Sequence, residues 1–243
     1  MQLFRRHFKV IDSTNTWAKQ NAHLFPKEAV TLVTADEQTA GRGRFNRKWE
    51  SLSGQNVLAT FCFFIEKHRK DIGNIPQVMA LSAAHMLEEL GLHPTLKWPN
   101  DVLLSGKKIA GILAETTSLS DQLCFILGIG LNVNMPLESA KQIDRPATSL
   151  LIESHHSYDV EDILENLQKH FTSNLENFLE EGFYPFLEEY RRRISSDSNQ
   201  IVRFDDSRSI WEGTFDSINL DGSYNLKLKN REIKNFLAGE IMW

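Results

Sequence analysis

A short basic loop carries the strongest chemical signal in the sequence. Residues 41–49 read GRGRFNRKW, with two glycines, four cations and no acid. Glycine lets backbone approach a ligand closely, and arginine presents a fork of donors that matches phosphate or carboxylate oxygens. Trp49 offers a flat ring for stacking. The pattern predicts a site for a small phosphate-bearing molecule, with a solvated basic loop or a nucleic-acid contact as the alternatives.

A second candidate site is the segment KWPND at residues 97–101, which is followed by KKIAGIL at residues 107–113. Lys97 lies at the end of an apolar run, and a buried lysine is costly unless an anion pairs with it. The segment therefore favours a lysine that points toward a phosphate or carboxylate group. An ordinary strand, a turn and a return strand would produce the same pattern.

Two glycines interrupt an apolar strand in GIGLNVN at residues 128–134. Glycine weakens a strand interior and often marks the close approach of a ligand or of another backbone. Gly128 and Gly130 therefore indicate either the wall of a ligand pocket or tight packing in the core.

Together these motifs resemble the biotin–protein ligase family. The resemblance rests on STN at 13–15, QTAGRGRFNRKW at 38–49, KWPND, KKIAGIL and GIGLNVN, in the family's order and at compatible intervals. The resemblance covers roughly residues 10–150. A weaker match toward the C-terminus includes Gly239-Glu240-Ile241. The related lipoate ligases share the fold but generally lack both GRGR and KWPND.

The resemblance implies an enzyme that activates biotin with ATP as biotinyl-5′-AMP. The biotinyl group is then transferred to a lysine of a biotin carboxyl carrier protein, such as that of acetyl-CoA carboxylase. ATP and biotin are the implied substrates, and Mg²⁺ is expected with the ATP phosphates, although no carboxylate cluster identifies its ligands. A lipoate or octanoyl ligase of the same superfamily is the alternative, and a non-enzymatic binder of adenylates or nucleic acid is a further one.

The resemblance also assigns residues to the two substrates. The implied biotin contacts are Ser13, Thr14, Asn15, Gln38, Arg42, Gly43, Arg44, Lys97, Gly128 and Gly130. The implied nucleotide contacts are Arg44, Arg47, Trp49, Lys97 and Asn132. Catalytic roles fall to Lys97, Arg44 and Arg47, whose charges could neutralise both the biotin carboxylate and the triphosphate.

The elements that must position these residues follow from local patterns. Residues 12–15 are of the types that cap a helix, and that helix should end near residue 25. Strands are predicted at 29–35, 56–65, 95–98, 108–115 and 123–133, and helices at 76–90, 161–181 and 184–194. We therefore expect an α+β fold with a mixed β-sheet flanked by helices, as the resemblance to class II aminoacyl-tRNA-synthetase-like catalytic domains implies. The polar segment SSDSNQ at 195–200 predicts a boundary between a catalytic domain, 1–195, and a small C-terminal β-barrel, 196–243.

Composition excludes several classes of protein. Hydrophobic residues make up 41% and charged residues 24% of the 243 positions, an ordinary globular balance. The longest apolar runs, 57–65 and 123–131, are nine residues each, whereas a membrane span needs about 20. The net charge of −5 argues against a general nucleic-acid binder. Cys62 and Cys124 lie in apolar runs, which predicts reduced core thiols and a cytoplasmic location.

One branch of the family carries an N-terminal winged helix-turn-helix that represses transcription. Only 12 residues precede Ser13, so we expect the single-function ligase, with a carrier protein as its partner and no role on DNA or membranes. The sequence does not decide between a monomer and a homodimer. Gly41, Gly43 and the repelling cations of residues 42–49 also predict that the loop at 42–49 orders only over bound biotin and adenylate.

Overall fold

A mixed seven-stranded sheet forms the centre of the computed structural model, which describes residues 1–119, 122–195 and 200–242. Its strands are β1 (Gln2–Ile11), β2 (Ala29–Gln38), β3 (Asn56–Glu66), β4 (Thr95–Lys97), β5 (Asp101–Leu104), β6 (Lys107–Leu119) and β7 (Gln122–Asn132). They are ordered β1-β2-β3-β7-β6-β5-β4, and β1 pairs with β2 in parallel while every other described pair is antiparallel.

Helices cover both faces of this sheet. They are α1 (Thr14–Asn21), α2 (Ile75–Glu89), α3 (Leu137–Ala140), α4 (Leu150–Ser154), α5 (Val160–Glu181) and α6 (Tyr184–Arg193). Side chains alternate across a strand, so Phe61 of β3 packs on Phe171 of α5, with ring centroids 4.9 Å apart. Cys62 points to the opposite face, where it packs with Ala18 of α1. The sheet is thus buried on both sides along its central strands.

A second sheet follows along the chain and packs on the first. Its strands are β8 (Ile201–Asp205), β9 (Ile210–Ile218), β10 (Tyr224–Leu228), β11 (Ile233–Phe236) and β12 (Glu240–Met242), all antiparallel, in the order β11-β10-β9-β8-β12. The Trp98 ring lies 5.6 Å from that of Phe204 and 5.5 Å from that of Tyr224. The two sheets therefore share one hydrophobic core.

The turn between β9 and β10 fastens the second sheet to the first part of the chain. The Gly222 carbonyl accepts hydrogen bonds from Trp98 Nε1 at 2.9 Å and from Gln77 Nε2 at 2.8 Å. Trp98 directly follows β4, so the second sheet braces the end of the strand that carries Lys97. A small antiparallel sheet that could not form a large core alone is stabilised by this shared interior.

The predicted α+β class, the mixed sheet flanked by helices and the second β-rich segment are confirmed. Both cysteines are buried and free, as predicted. The predicted boundary segment lies largely at residues 196–199, outside the described residues. Sequence patterns missed β1, because it is an edge strand whose side chains are mostly exposed and include the charged Arg5, Arg6 and Lys9. Among the described helices, none combines the length and the apolarity that a membrane crossing requires.

Candidate functional site

A cavity of about 510 Å³ opens where the start of α1, the basic loop and strands β6 and β7 meet. Its volume is within the range of roughly 300–1,000 Å³ that is usual for small-molecule sites. Every residue that the sequence singled out lines it: Ser13, Thr14, Asn15, Gln38, Arg42, Gly43, Arg44, Arg47, Trp49, Lys97, Gly128, Gly130 and Asn132. The fold therefore brings five separate sequence motifs to one place.

The first turn of α1 forms one wall. Gln38, the last residue of β2, accepts hydrogen bonds through Oε1 from Thr14 N at 2.7 Å and from Thr14 Oγ1 at 3.0 Å. Thr60 Oγ1 of β3 lies 2.8 Å from Thr14 Oγ1 and 2.7 Å from Asn15 Oδ1. These buried contacts fix the wall before any ligand arrives.

Glycines form the floor of the cavity. Gly111 of β6 and Gly130 of β7 are paired in register, so neither strand places a side chain there. A Cβ atom at Gly130 would overlap the Trp49 indole, and one at Gly128 would overlap the Asn15 side chain. The close approach of these side chains therefore requires glycine at both positions, which supports the pocket-wall interpretation of the motif.

The basic loop is a tight hairpin over this floor. Gly43 N donates to Arg47 O at 2.7 Å, and Trp49 N donates to Gly41 O at 2.9 Å. At its tip, Phe45 adopts a left-handed conformation with φ of 55°. The Arg44 guanidinium lies 4.8 Å from the centre of the Phe45 ring, and its Nη1 donates to Asn100 Oδ1 at 3.1 Å. The hairpin thus aims its cations into the cavity.

The charge of the cavity is opposite to that of the whole protein. Among the described lining residues, seven are lysine or arginine and four are aspartate or glutamate, whereas the protein carries a net charge of −5. Burial lowers the pKa of Lys97 and of Arg44, and the carboxylates of Asp101 and Glu240 partly offset this effect. A cation that is partly shielded from water is stabilised more strongly by a bound anion than an exposed cation is, because the local dielectric constant is lower.

Two carboxylates occupy part of this cationic surface in the absence of ligand. Lys108 Nζ lies 2.6 Å from Asp101 Oδ1, and Arg47 donates two hydrogen bonds to Glu240. Those bonds hold the pKa of Glu240 below its usual value. Both pairs contain a cation that a phosphate or carboxylate ligand could recruit.

Two polar atoms in the cavity have no hydrogen-bond partner among the described residues. They are Trp49 Nε1, a donor, and Asn132 Oδ1, an acceptor, and both are buried. An unsatisfied buried polar group costs roughly 1–3 kcal/mol. A polar ligand that accepts from the indole and donates to the amide would remove this penalty.

The sequence analysis gave no role to several polar residues that line the cavity, among them Asn100, Asp101, Lys108, Arg145 and Glu240. Asn100 and Asp101 lie in the KWPND motif, Lys108 in KKIAGIL and Glu240 in the weaker C-terminal match, so these four belonged to quoted motifs without an assigned role. Arg145 belongs to a segment that no motif covered. No cluster of three or more metal-ligating side chains is present in the parts of the chain that the structure describes.

Comparison with known proteins identifies the family. The sequence profile of the biotin/lipoate A/B protein ligase family matches residues 7–132, half of the chain. The chain belongs to this family. Within it, the chain is 31% identical over 218 residues to the biotin–[acetyl-CoA-carboxylase] ligase of Paracoccus denitrificans, which covers 85% of this chain and 88% of that protein.

Other members of the biotin/lipoate ligase family agree with this assignment. The bifunctional ligase/repressor BirA of Bacillus subtilis is 34% identical over 184 residues, 72% of this chain. The chain spans only 55% of the length of that relative. Among solved structures, the biotin protein ligase of Aquifex aeolicus in complex with biotin and ATP superposes with a TM-score of 0.81 at 30% identity, over 98% of this chain and 97% of that one.

Proposed function

We propose that the protein is an ATP-dependent biotin ligase. In the first step, a biotin carboxylate oxygen bonds to the α-phosphorus of ATP while the bond to the β-phosphate bridge breaks, which releases pyrophosphate. In the second step, the amine of an acceptor lysine attacks the carbonyl of biotinyl-5′-AMP, an amide forms and AMP leaves. The acceptor is a biotin carboxyl carrier protein, such as that of acetyl-CoA carboxylase.

One observation carries this proposal: all thirteen residues of the motif set line a single cationic cavity. The relatives whose names specify biotin ligation support it. A general anion site would not need the glycine floor beneath Trp49. A lipoate ligase of the same family is less favoured, because the similar proteins are named as biotin ligases.

Binding roles divide along the two sides of the cavity. The rigid wall of Ser13, Thr14 and Asn15, with Gln38, offers hydroxyl and amide groups that suit the polar ring of biotin. Trp49 and Asn132, with their unpartnered polar atoms, suit an adenine or ribose. Gly128 and Gly130 let the Asn15 and Trp49 side chains lie directly against β7, one on each side of the cavity.

The cations serve the first step. A carboxylate and a triphosphate repel each other, and Arg44, Arg47 and Lys97 lie where both anions must meet. Positioned charges that act in a site shielded from water lower the barrier more than the same charges in water. The partly desolvated Arg44 and Lys97 fit this requirement, since burial lowers the pKa of each while the Asp101 and Glu240 carboxylates favour the charged forms.

Two lysines are candidates for the central catalytic role. Lys97 is the residue that the sequence predicts, at the end of β4. Lys108 lies on the glycine floor, with Nζ 5.6 Å from the centre of the Trp49 ring and paired with Asp101. Both lysines line the cavity, so the experiment must compare the two side chains.

Several finer features belong to the same proposal. Mg²⁺ enters with the ATP phosphates rather than through a dedicated carboxylate cluster. The catalytic domain, 1–195, has the class II aminoacyl-tRNA-synthetase-like architecture. In the C-terminal domain, 196–243, the five strands between residues 201 and 242 form a small barrel around the buried Phe204 and Tyr224. The protein acts in the cytoplasm, as a monomer or a homodimer.

Exchange of labelled pyrophosphate into ATP tests the first step. Exchange should require biotin and should not respond to lipoate or octanoate; exchange that depends on lipoate instead would overturn the proposal. Lys97→Gln and Lys108→Gln are compared with Lys107→Gln, a neighbour outside the cavity. The variant that lacks the lysine acting in the transition state should exchange pyrophosphate about 10²–10³ times more slowly than the wild type. Its melting temperature should be unchanged.

A streptavidin blot tests the second step. A purified biotin carboxyl carrier domain incubated with enzyme, ATP and biotin should become labelled, and its acceptor Lys→Arg variant should not. Exchange without labelling would contradict the proposed acceptor while leaving the adenylation step in place.

A further inference from the structure

Glu115, a residue of β6 outside the lining of the cavity, joins two of its walls. Its Oε2 accepts a hydrogen bond from Arg42 Nη2 at 2.6 Å and another from Asn15 Nδ2 at 3.2 Å. Its Oε1 accepts from Lys19 Nζ at 3.2 Å. One carboxylate therefore contacts the base of the basic hairpin and both ends of α1.

The contacts of Glu115 lie in a largely buried part of the structure rather than on the open surface. The Glu115 side chain is only 17% exposed, and Asn15 is 3% exposed. Burial opposes ionisation of Glu115, but the hydrogen bonds from Asn15 and Lys19 and the charge of Arg42 outweigh it and lower the pKa of the carboxyl. Charge-assisted hydrogen bonds of this kind are about twice as strong as neutral ones.

Arg42 is the residue through which the hairpin is held. It forms the antiparallel bridge with Lys48 that closes the hairpin, and its neighbour Gly43 bonds to Arg47. Without an anion near Arg42, the four cations of the loop would repel one another at the base of the hairpin. Glu115 supplies that anion from the same face of β6 as Gly111 and Leu113, which line the cavity.

Asn15 is held by the same carboxylate. Its Nδ2 is shared between Glu115 and the Leu113 carbonyl at 3.2 Å, and its Oδ1 lies 2.7 Å from Thr60 Oγ1. These contacts fix the amide above Gly128, where it fills the space that a side chain on β7 would occupy. The position of this amide defines the depth of the pocket.

We propose that Glu115 is a positioning residue that sets the biotin side of the cavity, by holding the Arg42 hairpin and the Asn15 amide at a fixed separation. This inference rests on the proposed function for the identity of the ligand, but its effect on the hairpin does not. Glu115 has no contact with the reacting atoms. It acts on affinity for biotin and on the order of the loop before biotin binds. Bound biotin then holds the hairpin in place, so binding of ATP at saturating biotin is expected to be unchanged.

The test compares Glu115→Gln with Glu161→Gln, a glutamate that is paired with Arg5 on β1 and is not part of the cavity. The glutamine keeps the size of the side chain and removes its charge. In Glu115→Gln, the Kd for biotin should rise about tenfold or more, the KM for ATP and the rate at saturating biotin should stay within about threefold, and trypsin should cleave after Arg44 faster. Glu161→Gln should match the wild type in all four measurements.

Unchanged biotin affinity and unchanged cleavage in Glu115→Gln would overturn the inference. An equal loss in kcat and in affinity for both substrates would do the same, because it indicates general misfolding. Should Glu115→Gln fail to fold, Arg42→Met breaks the same contact from the other side and must accelerate cleavage after Arg44. If the wild type itself does not bind biotin, the proposed function fails, while the cleavage assay still decides whether Glu115 holds the hairpin.

Discussion

Glu240 accepts hydrogen bonds from both terminal nitrogens of Arg47, at 2.6 and 2.5 Å, although 193 positions separate the two residues. Arg145 Nη1 lies 3.6 Å from the same carboxylate. Glu240 belongs to β12, the last strand of the second sheet, and Arg47 to the basic hairpin. The second sheet thus contributes a carboxylate directly to the cavity and pairs it with the hairpin.

The hairpin should become ordered when both substrates bind. Its glycines and mutually repelling cations favour mobility in the free protein, and bound phosphates would replace Glu240 as the partner of Arg47. Trypsin should therefore cleave residues 42–49 readily in the free protein, and biotin with ATP should slow the cleavage by about tenfold or more at saturation. Cleavage after Arg208, outside the cavity, serves as the internal control. Equal cleavage in both states would contradict this prediction.

Loss of the Glu240 contact should loosen the hairpin before any substrate binds. In Glu240→Gln an NH2 donor replaces one of the two acceptor oxygens that face the Arg47 fork, and the charge is lost. We therefore expect faster cleavage at residues 42–49 in the free protein. Glu232→Gln, an exposed change in the turn between β10 and β11 of the same sheet, is the matched control. If the two variants are cleaved at the same rate, Glu240 does not restrain the loop.

A methyl group on the glycine floor should block the nucleotide side of the cavity. Gly130→Ala places a Cβ atom in the space of the Trp49 indole, so the ring must move. Displacements of about 1 Å near reacting groups can cost about a hundredfold in rate, and we expect a loss of that order in pyrophosphate exchange. Gly73→Ala, where a Cβ meets nothing within 4 Å, should be neutral. Full activity of Gly130→Ala would show that Trp49 does not need its present position.

Stability at low pH should depend on Glu189. Hydrogen bonds from His85 and Arg193 lower the pKa of this carboxyl from 4.5 to about 2. Because the folded-state pKa is depressed, its contribution is complete above pH 4.5 and is lost as the pH falls toward 2. Solvent screening limits the effect to about 1 kcal/mol.

Urea unfolding of Glu189→Gln at several pH values measures this contribution. The difference in free energy of unfolding from the wild type should be largest near pH 6 and should shrink steadily as the pH is lowered from 4.5 to 3. Glu180→Gln, an exposed change on α5, should show no such trend. A difference that is constant with pH would contradict the assignment.

The junction of the two sheets should tolerate loss of a hydrogen bond better than loss of a ring. Trp98→Phe removes the donor to Gly222 but keeps an aromatic ring against Phe204 and Tyr224, and Gln77 still satisfies the carbonyl. We expect a loss of about 1 kcal/mol in the free energy of unfolding. Trp98→Ala should cost about 3–5 kcal/mol. Equal losses in the two variants, measured by urea unfolding, would contradict a shared aromatic core.

Local patterns predicted much of the fold, and the resemblance to the biotin–protein ligase family predicted much of the lining of the cavity. The strands and helices that bury a continuous apolar stripe, such as β3, β7 and α5, carry strong periodic signals, and the motifs placed thirteen residues that line one cavity. The roles of those residues stay predictions. Edge strand β1 gave no such signal, because its exposed face is charged and its pairing with β2 depends on a partner 27 positions away.

The features of the site that the sequence did not predict are contacts between residues far apart along the chain. Nothing near Glu240 indicates that it would meet Arg47, since the contact exists only after the second sheet has packed around Trp98. The link of Glu115 to Arg42 also joins residues on separate elements, 73 positions apart. Charged residues of either sign occur throughout the chain, and only the fold decides which of them meet.

The position of Glu240 also has a consequence for the order in which the protein is made. Translation delivers the hairpin, the glycine floor and both lysines long before β12, and N-terminal segments can begin to fold during synthesis. No nascent chain that ends before residue 240 can contain the complete cavity. Its hairpin would carry Arg47 without its carboxylate partner, so the full site exists only once synthesis has passed the last strand.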